Sequence, residues 1–79
     1  MYVKINSIKS QYLLTDYQFE YILENVGKPL PLECINFYPN GKVCFISIYD
    51  PEGDLIILFE QNEYEFSLCQ DWLRMNIDK

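Results

Sequence analysis

The side chains able to do chemistry in this sequence are twelve carboxylates, seven phenols and three thiols; there is no histidine. That absence removes the commonest general base, the Ser-His-Asp and Cys-His arrangements, and most zinc sites. Ser7, Ser10, Ser47 and Ser67 lie in no G-x-S-x-G context, and three scattered glycines cannot form a phosphate-cradling loop. Cysteine catalysis requires an activating base or a positive environment. Cys34 and Cys44 fall on predicted strands and Cys69 in an apolar arc, so structural burial is the expectation for all three. Asp50, Glu52 and Asp54 have a distant likeness to a calcium loop, but Pro51 intrudes and Gln61 stands where the closing glutamate belongs. A solvated turn is expected there. No catalytic residue, metal ligand or cofactor site is expected, and the chain reads as non-enzymatic.

What remains is surface chemistry. Asp16, Glu20 and Glu24 recur at i, i+4 and i+8 on a predicted helix, with Tyr17 and Tyr21 beside them. Like charges at that spacing weaken a helix by a few tenths of a kcal/mol per pair, roughly, so they do not serve the helix itself. Tyrosine offers a large contact area at low entropic cost, and an acid-edged tyrosine pair suits an interaction patch. The bland alternative is a solvated helix face. An acid ladder at about 6 Å per step is coarser than the phosphates of a DNA strand at about 3.4 Å, so imitation of nucleic acid needs more acids. Glu60, Glu63 and Glu65 are candidates, and Trp72 is a candidate aromatic anchor.

Twelve acids against six bases give a net charge of −6. Phosphate backbones and anionic lipid draw on Lys and Arg, so direct binding to nucleic acid or to a membrane surface is not expected. A basic protein, or a protein site that normally holds nucleic acid, is attracted instead. Acidity also keeps a small apolar protein in solution, which is the competing explanation. The odd cysteine count argues against a disulfide framework and three free thiols are expected. No leader pattern opens the sequence and no apolar run approaches a membrane span, so a reducing cytoplasm is the economical compartment.

Seventy-nine residues suffice for one domain, residues 1–79, near the lower limit for a self-sufficient core. The start alternates Tyr2, Lys4 against Val3, Ile5, which suggests a short strand of unknown place in the sheet. Thr15 and Gln18 form a capping box ahead of a helix that Gly27, Pro29 and Pro31 terminate. Phe19, Ile22, Leu23 and Val26 share one helical stripe, the expected core face, with Tyr17 and Tyr21 on the opposite side. Residues 32–60 read as a three-stranded antiparallel meander, turned at Asn40-Gly41 and at Pro51-Glu52-Gly53. A second helix is expected over Glu63–Asn76, capped by Asn62.

A two-residue loop at Asn40-Gly41 sets Phe37 opposite Cys44 and Ile35 opposite Ile46. A three-residue loop at 51–53 sets Tyr49 opposite Leu55, Ile46 opposite Leu58 and Phe45 opposite Phe59. Both faces of the resulting sheet are apolar, one with Ile46, Ile48, Ile56 and Leu58, the other with Phe45, Tyr49, Leu55, Ile57 and Phe59. Either one helix covers each face, or both cover one and a partner meets the other.

The expected fold is therefore α+β: an antiparallel sheet of three or four strands packed by two helices, in the order β-α-β-β-β-α. In size, acidity and aromatic content the chain resembles small inhibitors encoded by phages and mobile elements, such as DNA-imitating glycosylase inhibitors and anti-CRISPR proteins. That likeness is one of composition and carries no residue across. It implies a stoichiometric inhibitor of a basic or nucleic-acid-handling protein, acting through Asp16, Tyr17, Glu20, Tyr21 and Glu24. The alternative is a homo-oligomeric module, a homodimer for example, joined through an apolar sheet face or the C-terminal helix.

Overall fold

The computed structural model describes residues 1–69. These form β1 (Tyr2–Ile8), α1 (Asp16–Glu24), β2 (Pro29–Phe37), β3 (Val43–Tyr49), β4 (Leu55–Phe59), a 3-10 turn (Glu60–Asn62) and β5 (Tyr64–Cys69). The strands make one five-stranded sheet in the order β4-β3-β2-β1-β5, antiparallel throughout.

This overturns the expected sheet packed by two helices: the described residues are mostly sheet, with one short α-helix. The segment Tyr64–Cys69, assigned to a second helix from its spacing, is β5. Over six residues the helical stripe Tyr64/Leu68 and the alternation Tyr64, Phe66, Leu68 against Glu65, Ser67 fit equally well. The edge of β1 decides between them, pairing from Tyr2↔Cys69 to Ile8↔Tyr64. Asn62 caps no helix. It is fully buried and holds the chain together through its side chain, as described below. The rest of the expected helix, with Trp72, lies outside the described residues. β1, unplaced from sequence, sits between β2 and β5.

Pro29 and Pro31, expected only to terminate the helix, open β2, which starts before the Leu32 expected for the first meander strand. Leu32 N–H donates to the Met1 carbonyl oxygen at 3.1 Å. By alternation, the nitrogens of Pro29 and Pro31 face away from β1, on the side where pairing with β3 begins only at Leu32. Their missing N–H groups therefore cost no ladder bond.

The β3–β4 register is the expected one, with Tyr49↔Leu55, Ile46↔Leu58 and Phe45↔Phe59. At β2–β3, Ile35↔Ile46 also holds, but Phe37 faces Val43 and not Cys44. The loop there has three residues: Tyr38 N–H donates to the Lys42 carbonyl at 2.7 Å, and Gly41 takes the left-handed conformation at φ 89°. The 50–54 turn repeats this geometry, with Asp50 N–H on the Asp54 carbonyl at 2.9 Å and Gly53 at φ 86°. One residue more in the first loop shifts the register at the end of β2.

The sheet is coiled. β4 and β5 are its opposite edges, yet only Glu60–Glu63 joins them. Five strands at about 4.8 Å spacing set flat edges about 19 Å apart, more than a 3-10 turn and one residue can span. Register irregularities at Ile5/Ser7, Leu32/Cys34 and Asn36/Phe37 bend β1 and β2 and supply the curvature. The concave side holds the core: Val3, Ile5, Leu30, Ile46, Ile48, Ile56 and Leu58, closed by Leu14 and by Ile22 of α1.

The Thr15 capping box is present as expected: Gln18 N–H donates to Thr15 Oγ1 at 3.1 Å and Thr15 N–H to Gln18 Oε1 at 3.0 Å. The helix is rotated from the expected stripe. Ile22 is buried and Phe19 and Tyr21 pack on the core, whereas Leu23 and Val26 are exposed. Cys34, Cys44 and Cys69 are free thiols. Among the described residues no helix is long and apolar enough to cross a membrane.

Candidate functional site

The acidic residues singled out from sequence divide between two places. Asp16, Glu20 and Glu24 lie exposed along α1, and the first of them accepts from Gln11 Nε2 at 2.7 Å. Tyr17 stands with them, 51% exposed. Tyr21, expected on the outer side, is half-buried and packs against the core. Glu60, Glu63 and Glu65 are exposed too, but they belong to the corner between β4 and β5. Glu60 neighbours Tyr38 and Lys42 there, and Glu65 accepts from Ser7 Oγ at 3.3 Å. Trp72 lies outside the described residues.

The structure adds acids that sequence reasoning dismissed as a solvated turn. The β3–β4 turn comes up beside α1. The Tyr17 hydroxyl is raised above its usual pKa by partial desolvation, and then by the carboxylates of Glu52 and Asp50 next to it. Tyr21 is raised likewise, by burial first and by Asp50 second. Asp50 is buried, 6% exposed, because its Oδ1 accepts from Glu52 N–H and Asp54 N–H, both at 2.9 Å. It shapes the turn; Glu52 and Asp54 project from it. Neither α1 nor this turn contains a Lys or Arg. Asp50, Glu52 and Asp54 were a turn from sequence and are one here; the position of α1 above them, a tertiary relation, is what makes them part of a surface.

No group of three or more His, Cys, Asp or Glu among the described residues could hold a metal. Every buried side-chain nitrogen and oxygen among them has a hydrogen-bond partner. Ser47, buried on β3, donates to Glu33 Oε2 at 2.7 Å and stands 3.3 Å from Cys34 Sγ, a satisfied cross-strand contact.

A second exposed feature is apolar. Tyr49 and Leu55 face each other on the convex side of the β3–β4 hairpin, 42% and 43% exposed. Phe45 and Phe59 continue this ladder, their ring centroids 5.8 Å apart, and Tyr12 meets Phe59 edge-on at 6.3 Å. The apolar outer face expected from alternation is met only in part: Val43 packs against the core, Ser47 interrupts the ladder opposite Ile57, and exposure rises from half-buried at Phe59 to open at Leu55.

The described residues thus form a small coiled antiparallel sheet with one α-helix, an all-acidic surface on α1 and the β3–β4 turn, and an apolar ladder. No protein family matches the sequence, and no match was found among curated proteins or solved structures.

Proposed function

We propose that this is a non-enzymatic, stoichiometric binder that blocks a basic protein or one whose own site normally holds nucleic acid. One observation carries the reading: the exposed Tyr17 lies on a helix whose only charges are Asp16, Glu20 and Glu24, with the carboxylates of Glu52 and Asp50 beside it and no base on either element. A charge-segregated surface steers a basic partner and tyrosine supplies contact area. The turn acids add negative charge beside that of α1, whereas Glu60, Glu63 and Glu65 lie at the corner between β4 and β5. The experiment is affinity capture from the native cell with wild-type protein and with the Glu20→Lys/Glu24→Lys double variant. Loss of the captured partner in the variant is expected; full retention contradicts the proposal.

A second reading, a homo-oligomeric module, draws on the exposed Tyr49/Leu55 pair. Light scattering at high concentration tests it, and a monomer rejects it.

A further inference from the structure

The β2–β3 loop carries Asn40-Gly41, both residues exposed. Of the six asparagines in the chain, Asn40 alone precedes a glycine. The others precede Ser7, Val26, Phe37, Glu63 and Ile77, whose side chains crowd the nitrogen that follows. At Gly41 nothing stands within 4 Å of where a Cβ would be.

Asn40 folds its side chain forward along the loop. Its Oδ1 accepts from the main-chain N–H of Lys42 at 3.0 Å, two residues on. That bond brings the carboxamide back over the Gly41 peptide unit and polarises its carbonyl. The Gly41 N–H donates to the Tyr38 carbonyl oxygen at 2.9 Å. This bond lies in an exposed loop outside the strand ladder, where local opening is cheap.

We propose that Asn40 is a site of spontaneous modification, at which the folded protein converts a carboxamide to a carboxylate. Hydroxide takes the Gly41 N–H proton, and the freed nitrogen attacks Cγ of Asn40. The Lys42 N–H stays on Oδ1 as the oxyanion forms there. The Cγ–Nδ2 bond then breaks, and Nδ2 leaves as ammonia with a proton from water, which restores the hydroxide. The product is a five-membered cyclic imide, which water opens at either carbonyl. Opening at Cγ leaves an aspartate at position 40, whose carboxylate can still accept from the Lys42 N–H. Opening at the main-chain carbonyl routes the chain through Cβ and Cγ and lengthens the loop. Either product adds one negative charge to the cleft that Asn40 lines with Tyr38, Lys42 and Glu60. A second, more acidic form of the protein therefore accumulates with age. The change falls at the opposite end of the β3–β4 hairpin from the 50–54 turn, and does not rest on the function proposed above.

The test incubates the full chain, folded and in parallel unfolded in urea, in buffers from pH 7 to pH 9 made with oxygen-18 water. Intact mass, proteolytic mapping and released ammonia are followed. One labelled oxygen gained and one ammonia lost per chain, both at Asn40 and faster at higher pH, are expected. The folded chain is expected to react at a rate within about tenfold of the unfolded one. Asn40→Gln, which would have to close a six-membered ring, is expected to lose the reaction. A folded rate slower than that limit shows that the loop withholds the Gly41 nitrogen, and overturns the proposal. So does conversion at another asparagine in place of Asn40, or an undiminished reaction in Asn40→Gln.

Discussion

The hydroxyl of Tyr64 donates to the main-chain carbonyl oxygen of Leu58 at 3.1 Å, joining the first residue of β5 to the opposite edge strand of the sheet. Its ring crosses the concave side to do so and packs on the core beside Phe66, the centroids 5.9 Å apart. Desolvation on that path pushes the phenol up to about 12, with the Cys44 thiol adding to the rise and the Ile46 main chain opposing it.

The sign of the resulting pH dependence is fixed. An unfolded tyrosine titrates near 10, so the neutral form favoured in the fold contributes its full stabilisation below about pH 10. That contribution is lost as pH rises towards about 12. Tyr64→Phe keeps the ring and loses one hydrogen bond, a cost of about 1 kcal/mol at neutral pH. Urea unfolding midpoints of wild type and Tyr64→Phe, measured from pH 8 upward, are expected to converge above about pH 10. Curves that stay parallel contradict this placement of the hydroxyl.

Asn62 is the other tie across the coil. Fully buried, it donates from Nδ2 to the carbonyl oxygens of Ser10 at 2.9 Å and Tyr12 at 2.8 Å, and accepts from Phe59 N–H at 2.8 Å. Asn62→Ala leaves these main-chain groups without partners and is expected to cost about 2–4 kcal/mol. Asn62→Asp keeps the acceptor but sets a carboxylate against two carbonyl oxygens, and is expected to be as damaging at neutral pH. Equilibrium urea unfolding measures both. A loss under about 1 kcal/mol for Asn62→Ala contradicts the role.

Two backbone positions make opposite predictions. Gly53, at φ 86°, has open space where a Cβ would stand, so Gly53→Ala costs only backbone strain, about 1 kcal/mol. Leu13 lies in the left-handed region at φ 56° with its side chain 73% exposed. Leu13→Asn, a residue that tolerates this conformation, is expected to raise the unfolding midpoint. A fall on that substitution contradicts the strained left-handed conformation at Leu13.

The fold class was not legible in the sequence, but some local features were. The Thr15/Gln18 box, the 51–53 loop and the register from Phe45↔Phe59 to Tyr49↔Leu55 follow from residue chemistry within a few positions. The misreadings lie where distant chain decides. Tyr64–Cys69 carries both a helical and a strand pattern, and only β1 selects the strand. Leu23 and Val26 were as apolar as Phe19, but the coil of the sheet turned α1 towards Ile22 and Tyr21. The acidic surface was half legible for the same reason: the α1 acids follow from spacing, while the approach of Glu52 to Tyr17 depends on that coil.

The proposed function depends on the acidic surface of α1 and the β3–β4 turn, with Tyr17 between them, attracting a basic partner. The most direct test is the dissociation constant of the captured partner measured as a function of salt, with wild type beside Glu20→Lys/Glu24→Lys. Screening acts over about 10 Å at 0.1 M salt, so affinity for wild type is expected to fall steeply as salt rises, and far less for the variant. An affinity indifferent to salt, or identical slopes for the two proteins, would show that the α1 carboxylates do not hold the partner.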